Sequence, residues 1–196
     1  MEGVSAAILA GGLSTRMGVN KALIIYKGKP LIERPLAKLK NLTSDVLIVS
    51  KTPGLYVYPG VRSVADVMPR HSALIGICSA LHAAREKYCL VVACDMPFLN
   101  LDLLRYLIAL APYHDVVMPV LRKGPEPLHA VYSKECLPAI EKLIAKGEDK
   151  IVEFLPWVKV RYVDEDVIRF FDPTLTSFVN INTPKDLRKI RTNSKA

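Results

Sequence analysis

Residues 4–21 read VSAAILAGGLSTRMGVNK, and the fold turns on the point where the apolar half gives way to glycine. Val4 to Ala10 is a nearly unbroken apolar run, the pattern of a strand buried on both faces of a parallel sheet. Gly11 and Gly12 lack Cβ, so their backbone can take positive φ and let a ligand approach its N–H groups, while Arg16 and Lys21 add positive charge. Such a loop suits a polyphosphate. A glycine turn between strand and helix would account for the glycines alone, but not for Arg16, Gly18 and Lys21 beside them. Counting excludes two phosphate signatures. Val19 follows Gly18, which breaks GxxxxGK[ST], and the adjacent Gly11 and Gly12 do not make GxGxxG.

Outward from the loop, strands and helices alternate as in a doubly wound sheet. Ala22 to Tyr26 reads as a short strand, Lys27 and Gly28 as a turn, and Pro30 as the start of a helix carrying Leu31, Leu36 and Leu39. Asp45 to Ser50 is a second buried strand, Val61 to Val64 a small one before Asp66, and Leu74 to Glu86 a helix. Tyr88 to Cys94 is a third buried strand ending at Asp95, and Asn100 caps a helix from Leu101 to about Leu110. The second half departs from simple alternation. Asp115 to Val120 and Leu128 to Tyr132 are strand-like around a turn at Arg122 to Pro127, and helix 134–146 ends at Gly147. Asp149 is expected to cap a short helix, Val158 to Val163 forms a strand, and Pro184 begins a final helix after Phe178 to Ile181. The expected class is α/β: a single Rossmann-like three-layer domain over 1–196, with a mostly parallel sheet and a mixed C-terminal part.

Composition agrees with a self-sufficient domain, because 196 residues with 51% hydrophobic content can bury a sizeable core. Glu2 stands where a secretory signal would carry a cation, and no stretch is long enough to span a bilayer, so a cytoplasmic protein is expected. Cys78, Cys89, Cys94 and Cys136 make no CxxC pair, and His71, His82, His114 and His129 are scattered without metal-ligand spacing. The cysteines read as buried thiols. The net charge of +8 is half due to residues 185–196, which hold five Lys or Arg against one Asp. No aromatic-rich basic stripe accompanies that tail, so it reads as a solvated terminus rather than a nucleic-acid surface.

Ligands of open parallel sheets bind beyond the carboxyl ends of the strands, at the switch in strand order. Gly11–Gly12 and Asp95 both lie at such ends. Mg²⁺ needs only one or two carboxylates plus phosphate oxygens, so Asp95 is a sufficient anchor, although an Asx turn into Met96–Pro97 would also place an Asp there. Asn180 and Asn182 alternate along a strand and share a face, or else shape the turn before Thr183–Pro184. His129, with Arg122 or Lys123, could line the same cleft, His129 as a wall rather than a proton carrier. GxSxG is absent around Ser14, and none is required.

The stretch LAGGLSTRMGVNK resembles the N-terminal signature of the molybdenum cofactor guanylyltransferases, members of the larger nucleotidyltransferase superfamily. CDMPFL at 94–99, EPLHAVY at 126–132 and NINTPKDL at 180–187 resemble the same family, so the likeness spans nearly the whole chain. The resemblance implies transfer of the guanylyl group of GTP to molybdopterin with release of pyrophosphate. It implies Arg16, Lys21 and Asp95 as catalytic residues, with Asp95 the ligand of Mg²⁺. Leu9, Ala10, Gly11, Gly12, Lys21, Asp66 and Asp95 would contact nucleotide within about 1–110, and Asn180, Asn182 and His129 the acceptor within about 111–190. Molybdopterin-carrying or molybdoenzyme-maturation proteins would be its partners, with no membrane and no nucleic acid. Two departures stand out: the family's Gly-Pro after Asp66 is Ser72–Ala73 here, and its Asp before the lysine is Asn20. In the related cytidylyltransferases the residue matching Gly11 is typically Ala, which links Gly11 to the base. The alternatives are a cytidylyl- or other nucleotidyltransferase with a different phosphate acceptor, and a nucleotide-binding protein without turnover.

Overall fold

The structure is a computed structural model of the chain that describes residues 3–10, 20–68, 70, 72–181 and 186. Gly11, Gly12, Arg16, Asn182, the helix expected from Pro184 and the basic tail lie outside the described residues. The main sheet is built from β1 (Val4–Leu9), β4 (Val46–Ser50), β5 (Val61–Ala65), β6 (Tyr88–Ala93), β7 (Val116–Leu121), β9 (His129–Ser133) and β10 (Val160–Asp164). Its order is β10-β7-β9-β6-β1-β4-β5, with the two-residue β8 (Gly124–Pro125) pairing beside β7. The half β6-β1-β4-β5 is wholly parallel, whereas β9 runs antiparallel to both β6 and β7, and β10 returns parallel to β7. This is the expected mostly parallel sheet with a mixed C-terminal part.

Alternation along each buried strand generates two cores. Val4, Ala6 and Ile8 of β1, with Val46, Ile48, Leu90 and Val92, face the helices α1 (Glu33–Lys40), α3 (Leu101–Leu110) and α5 (Glu165–Phe171). Ala7 of β1, with Leu47, Val49, Cys89 and Val91, faces α2 (Ala73–Ala83) and α4 (Leu137–Ala145). Each Leu or Ile buried from water in these layers contributes about 1.5–3 kcal/mol. All four cysteines are free and buried, as expected. Among the described residues, no helix is long and apolar enough to cross a membrane.

Local chemistry explains where the elements differ from expectation. Lys21–Leu23 is one turn of 3₁₀ helix rather than strand, and only Ile25–Tyr26 (β2) extends, pairing antiparallel with Lys29–Pro30 (β3). Lys27 (φ 49°) and Gly28 (φ 80°) are both left-handed, the turn whose twist suits a two-residue hairpin. Pro30 therefore closes a hairpin, and the helix starts only at Glu33, with Pro35 in its first turn. Asp149 caps nothing; it pairs with Arg70 at 2.8 Å. Helix α5 lies in a stretch with no sequence expectation of its own. Its Glu165 accepts from the Arg122 N–H and from Arg169 one turn on.

At the end of the sheet away from the loop, Asp45 ties three segments together. Its carboxylate accepts from the Ser5 hydroxyl (2.5 Å), the Arg85 N–H (2.9 Å) and Arg62 Nη2 (2.7 Å). Burial alone would raise its pKa, but the Ser5, Arg85 and Arg62 donors outweigh burial and leave it lowered from its ordinary value. Asp45→Ala is expected to cost roughly 3 kcal/mol, the low end for a broken buried pair because Arg62 is partly solvated. The folded-state pKa being depressed, this contribution is present above the unfolded-state pKa and is lost as pH falls through the lowered one. Urea midpoints measured from pH 7 downward should therefore converge for wild type and variant in acid.

Candidate active site

Strand order reverses between β1 and β6: β4 and β5 add on one side of β1, while β6 and the rest add on the other. The crevice beyond their carboxyl ends is where such sheets hold ligands. Leu9 pairs with Ala93, the Leu9 carbonyl accepts the Cys94 N–H at 3.2 Å, and the Ala10 N–H donates to the Val49 carbonyl at 2.8 Å. Asp95 therefore emerges two residues past β6, beside the point where β1 delivers Ala10.

Lys21 is brought to the same place. Its Nζ lies 3.3 Å from Asp95 Oδ2, with 22% and 15% of the two side chains exposed. The Asn20 side-chain carbonyl caps the lysine's 3₁₀ turn by accepting the Ala22 N–H, and Ala22 is itself fully buried. The Ala22 carbonyl accepts the Ile32 N–H, so the turn is fastened to the approach to α1.

Tyr56 is a site residue that the sequence does not reveal, since it sits in a Pro- and Gly-rich stretch that reads as loop. Asn20 Nδ2 donates to the Tyr56 hydroxyl at 2.7 Å, and that hydroxyl donates to the Ala10 carbonyl at 3.3 Å. One buried phenol thus joins the residues that flank 11–19, and its pKa is raised by burial, with the Asn20 hydrogen bond opposing. Here the departure to Asn20 has a consequence: an amide donates to the phenol and leaves the phenol's proton for Ala10, whereas a carboxylate would take that proton. Tyr56→Phe is expected to cost about 1 kcal/mol of stability. It should lower kcat/KM about tenfold by loosening Lys21, the equivalent of about 1.4 kcal/mol. Thermal melts beside steady-state rates check both numbers.

The other expected residues divide. Asp66 follows β5 on the same carboxyl edge, two strands from β1, and is partly exposed. The Ile181 N–H donates to the Asp95 carbonyl at 3.0 Å, which sets Asn180 beside the metal-binding candidate. Asn180 Oδ1 is buried and without a partner among the described residues. His129 is fully buried on β9, opposite Val92, with its ring centroid 4.5 Å from that of Phe178. Burial pushes its pKa down to about 4, against a smaller upward pull from Asp172. It is a neutral, fully buried side chain at physiological pH. Arg122 and Lys123 are engaged elsewhere, with Glu165 and with Glu126 at 2.7 Å.

A parallel half-sheet whose order reverses beside a Lys21–Asp95 pair has the architecture of α/β proteins that bind nucleotides. The chain belongs to the family of the MobA-like NTP transferase domain, whose model matches residues 6–160. It is 37% identical over 198 residues to the molybdenum cofactor guanylyltransferase of Desulfosudis oleivorans, covering 100% of this chain and 98% of that one. Its fold superposes with a TM-score of 0.84 on the molybdopterin-guanine dinucleotide biosynthesis protein A of Archaeoglobus fulgidus. Those two chains are 31% identical, with 98% of this chain and 100% of that one covered. The 2-C-methyl-D-erythritol 4-phosphate cytidylyltransferase of Thermus thermophilus shares the fold at a TM-score of 0.74 and 19% identity, over 98% of each chain.

Proposed function

We infer that the chain transfers the guanylyl group of GTP to molybdopterin, releasing pyrophosphate and forming the guanine dinucleotide cofactor. The observation that carries this reading is the Lys21–Asp95 pair at the β1/β6 switch point. The relatives' activity, over a match spanning the whole chain, supplies the nucleotide and the acceptor.

Lys21, with Arg16 from the loop, holds the triphosphate. Asp95 is the residue that would hold Mg²⁺: a strand-end carboxylate beside a cation that a ligand can draw away suits a hard ion needing few protein oxygens. When bound, that ion supplies charge neutralisation on the phosphate oxygens. The acceptor phosphate, with a second pKa of about 6, is largely dianionic at neutral pH and needs no general base once held in line. Its oxygen forms the new bond to the α-phosphorus, the bond from that phosphorus to the bridging oxygen breaks, and pyrophosphate departs with the electron pair. Gly11 and Gly12, which lack Cβ, are assigned to the base, and Asp66 lies on the edge where a ribose would extend. Asn180 Oδ1, without a partner among the described residues, suits the acceptor, to which Asn182 and His129 are also assigned. On this reading the nucleotide part is about 1–110 and the acceptor part about 111–190.

Incubation with each NTP, Mg²⁺ and molybdopterin, followed by detection of pyrophosphate and dinucleotide, tests the proposal. GTP should give product. Product from CTP in preference to GTP, or none from any nucleotide, overturns it.

A further inference from the structure

We propose that Cys78, His82 and Glu141 form a second cation site, for a borderline-soft divalent ion of the Zn²⁺ class, that clamps α2 to α4. The grouping is not legible from CxxC pairs, because it joins one cysteine and one histidine of α2 to a glutamate of α4. Cys78 and His82 are four residues apart on α2, so both project from one face of the helix. The same separation lets the two histidines of a helical HExxH motif share one ion. Glu141 reaches this face from α4, and the ligand atoms of the three residues all lie within 4.8 Å of one another.

The geometry is near what the ion requires. Zinc bonds of about 2.0–2.3 Å in a tetrahedron set neighbouring ligand atoms roughly 3–4 Å apart, so side-chain rotation closes the remaining gap. His82 Nε2 and Glu141 Oε1 are already 2.8 Å apart. Cys78 is buried, with 2% of its surface exposed, whereas His82 and Glu141 are about half exposed, which leaves water free to take the fourth position.

Charge and softness choose the ion. A thiolate and a carboxylate balance a divalent cation, and a neutral imidazole completes a sulfur, nitrogen and oxygen set that favours zinc or cobalt over magnesium. Asp95, an oxygen donor, has the opposite preference, so the two sites should not compete for one metal. Binding releases the Cys78 thiol proton, since burial and the neighbouring Glu141 keep that thiol protonated at neutral pH. The clamp bears on the active site through α2. Its Gly76 packs so close to Leu9 that an added Cβ would meet a Leu9 methyl at 2.9 Å, so the helix backs the end of β1.

The test is titration of the full chain with Co²⁺, followed by absorbance for a thiolate-to-cobalt band, and of separate samples with Zn²⁺ in thermal melts. One Co²⁺ should bind per chain with that band. Zn²⁺ should bleach it and Mg²⁺ should not. A hundredfold excess of Zn²⁺ over its Kd should raise Tm by about 5–10 °C. His82→Ala, at an exposed position that spares the fold, should weaken binding at least about tenfold. Cys78→Ser should remove the band; if that variant fails to fold, Glu141→Gln, which keeps the thiolate but loses the carboxylate charge, should weaken Co²⁺ binding at least about tenfold, and an unchanged affinity there counts against the site. Absence of the band, its survival in Cys78→Ser, an unchanged Co²⁺ affinity in His82→Ala, or displacement by Mg²⁺ overturns the proposal. None of these readouts depends on nucleotidyl transfer, so failure here is distinguishable from failure of the assigned reaction.

Discussion

Asp95→Asn is expected to lower kcat/KM for guanylyl transfer by roughly 10²–10³-fold while leaving the fold intact. The amide keeps the shape and hydrogen-bonding capacity of the side chain but gives up the charge that would hold Mg²⁺. The fold survives because what Asp95 contributes to it is backbone: its carbonyl accepts the Ile181 N–H at 3.0 Å, and that bond is indifferent to the side chain. The lost ion pair with Lys21 is partly solvated and worth about 0–1 kcal/mol, so Tm should move by only a few degrees. Pyrophosphate release measured across a Mg²⁺ titration separates the cases. The variant should need far more Mg²⁺ to approach any plateau. Activity equal to wild type throughout the titration would remove Asp95 from the proposed metal site.

How far the sequence discloses such a site depends on the distance over which its parts are encoded. The strand Val4–Leu9 is legible because an apolar run ending in glycines is a local pattern, and Asp95 because Tyr88 to Cys94 ends just before it. Their adjacency is not local. It follows from strand order, and the default doubly wound arrangement happens to hold between β1 and β6. Tyr56 escapes entirely, since its partners Asn20 and Ala10 lie 36 and 46 residues away. The hairpin at Lys27–Gly28 hides the true start of α1, because a lysine at φ 49° has no signature beyond the glycine after it. Helix α5 is seven residues long, too short for its apolar spacing to register, and its Glu165 is held by Arg122 from a distant strand. His129 is legible as a side chain without a proton-carrying role, and it is fully buried. What the sequence could not supply is Phe178 stacked on it from a turn 49 positions on.

Lys21→Met should produce two shifts of opposite sign, and together they test whether the Lys21–Asp95 contact is a resting pair that ligands pull apart. Methionine keeps much of the aliphatic stem and removes the ammonium, so the 3₁₀ turn capped by Asn20 has no reason to unfold. A triphosphate then arrives at a site with one cation fewer, and kcat/KM for GTP is expected to fall by roughly 10²–10³-fold. Guanosine carries no phosphate, so its inhibition constant should not change. The second shift concerns Asp95. In wild type its carboxylate already has a cation 3.3 Å away, and a metal must displace or tolerate that charge. With the ammonium gone, the carboxylate is more available, and the Mg²⁺ concentration for half-maximal activity should fall even as GTP binding weakens. Lys21→Arg, which keeps the charge but spreads it over a rigid fork, should lie between wild type and Lys21→Met. Equal losses for GTP and guanosine would mean that Lys21 serves the fold or the base rather than the phosphates. A Mg²⁺ requirement that rises in Lys21→Met would mean that the lysine supports the metal instead of holding its place.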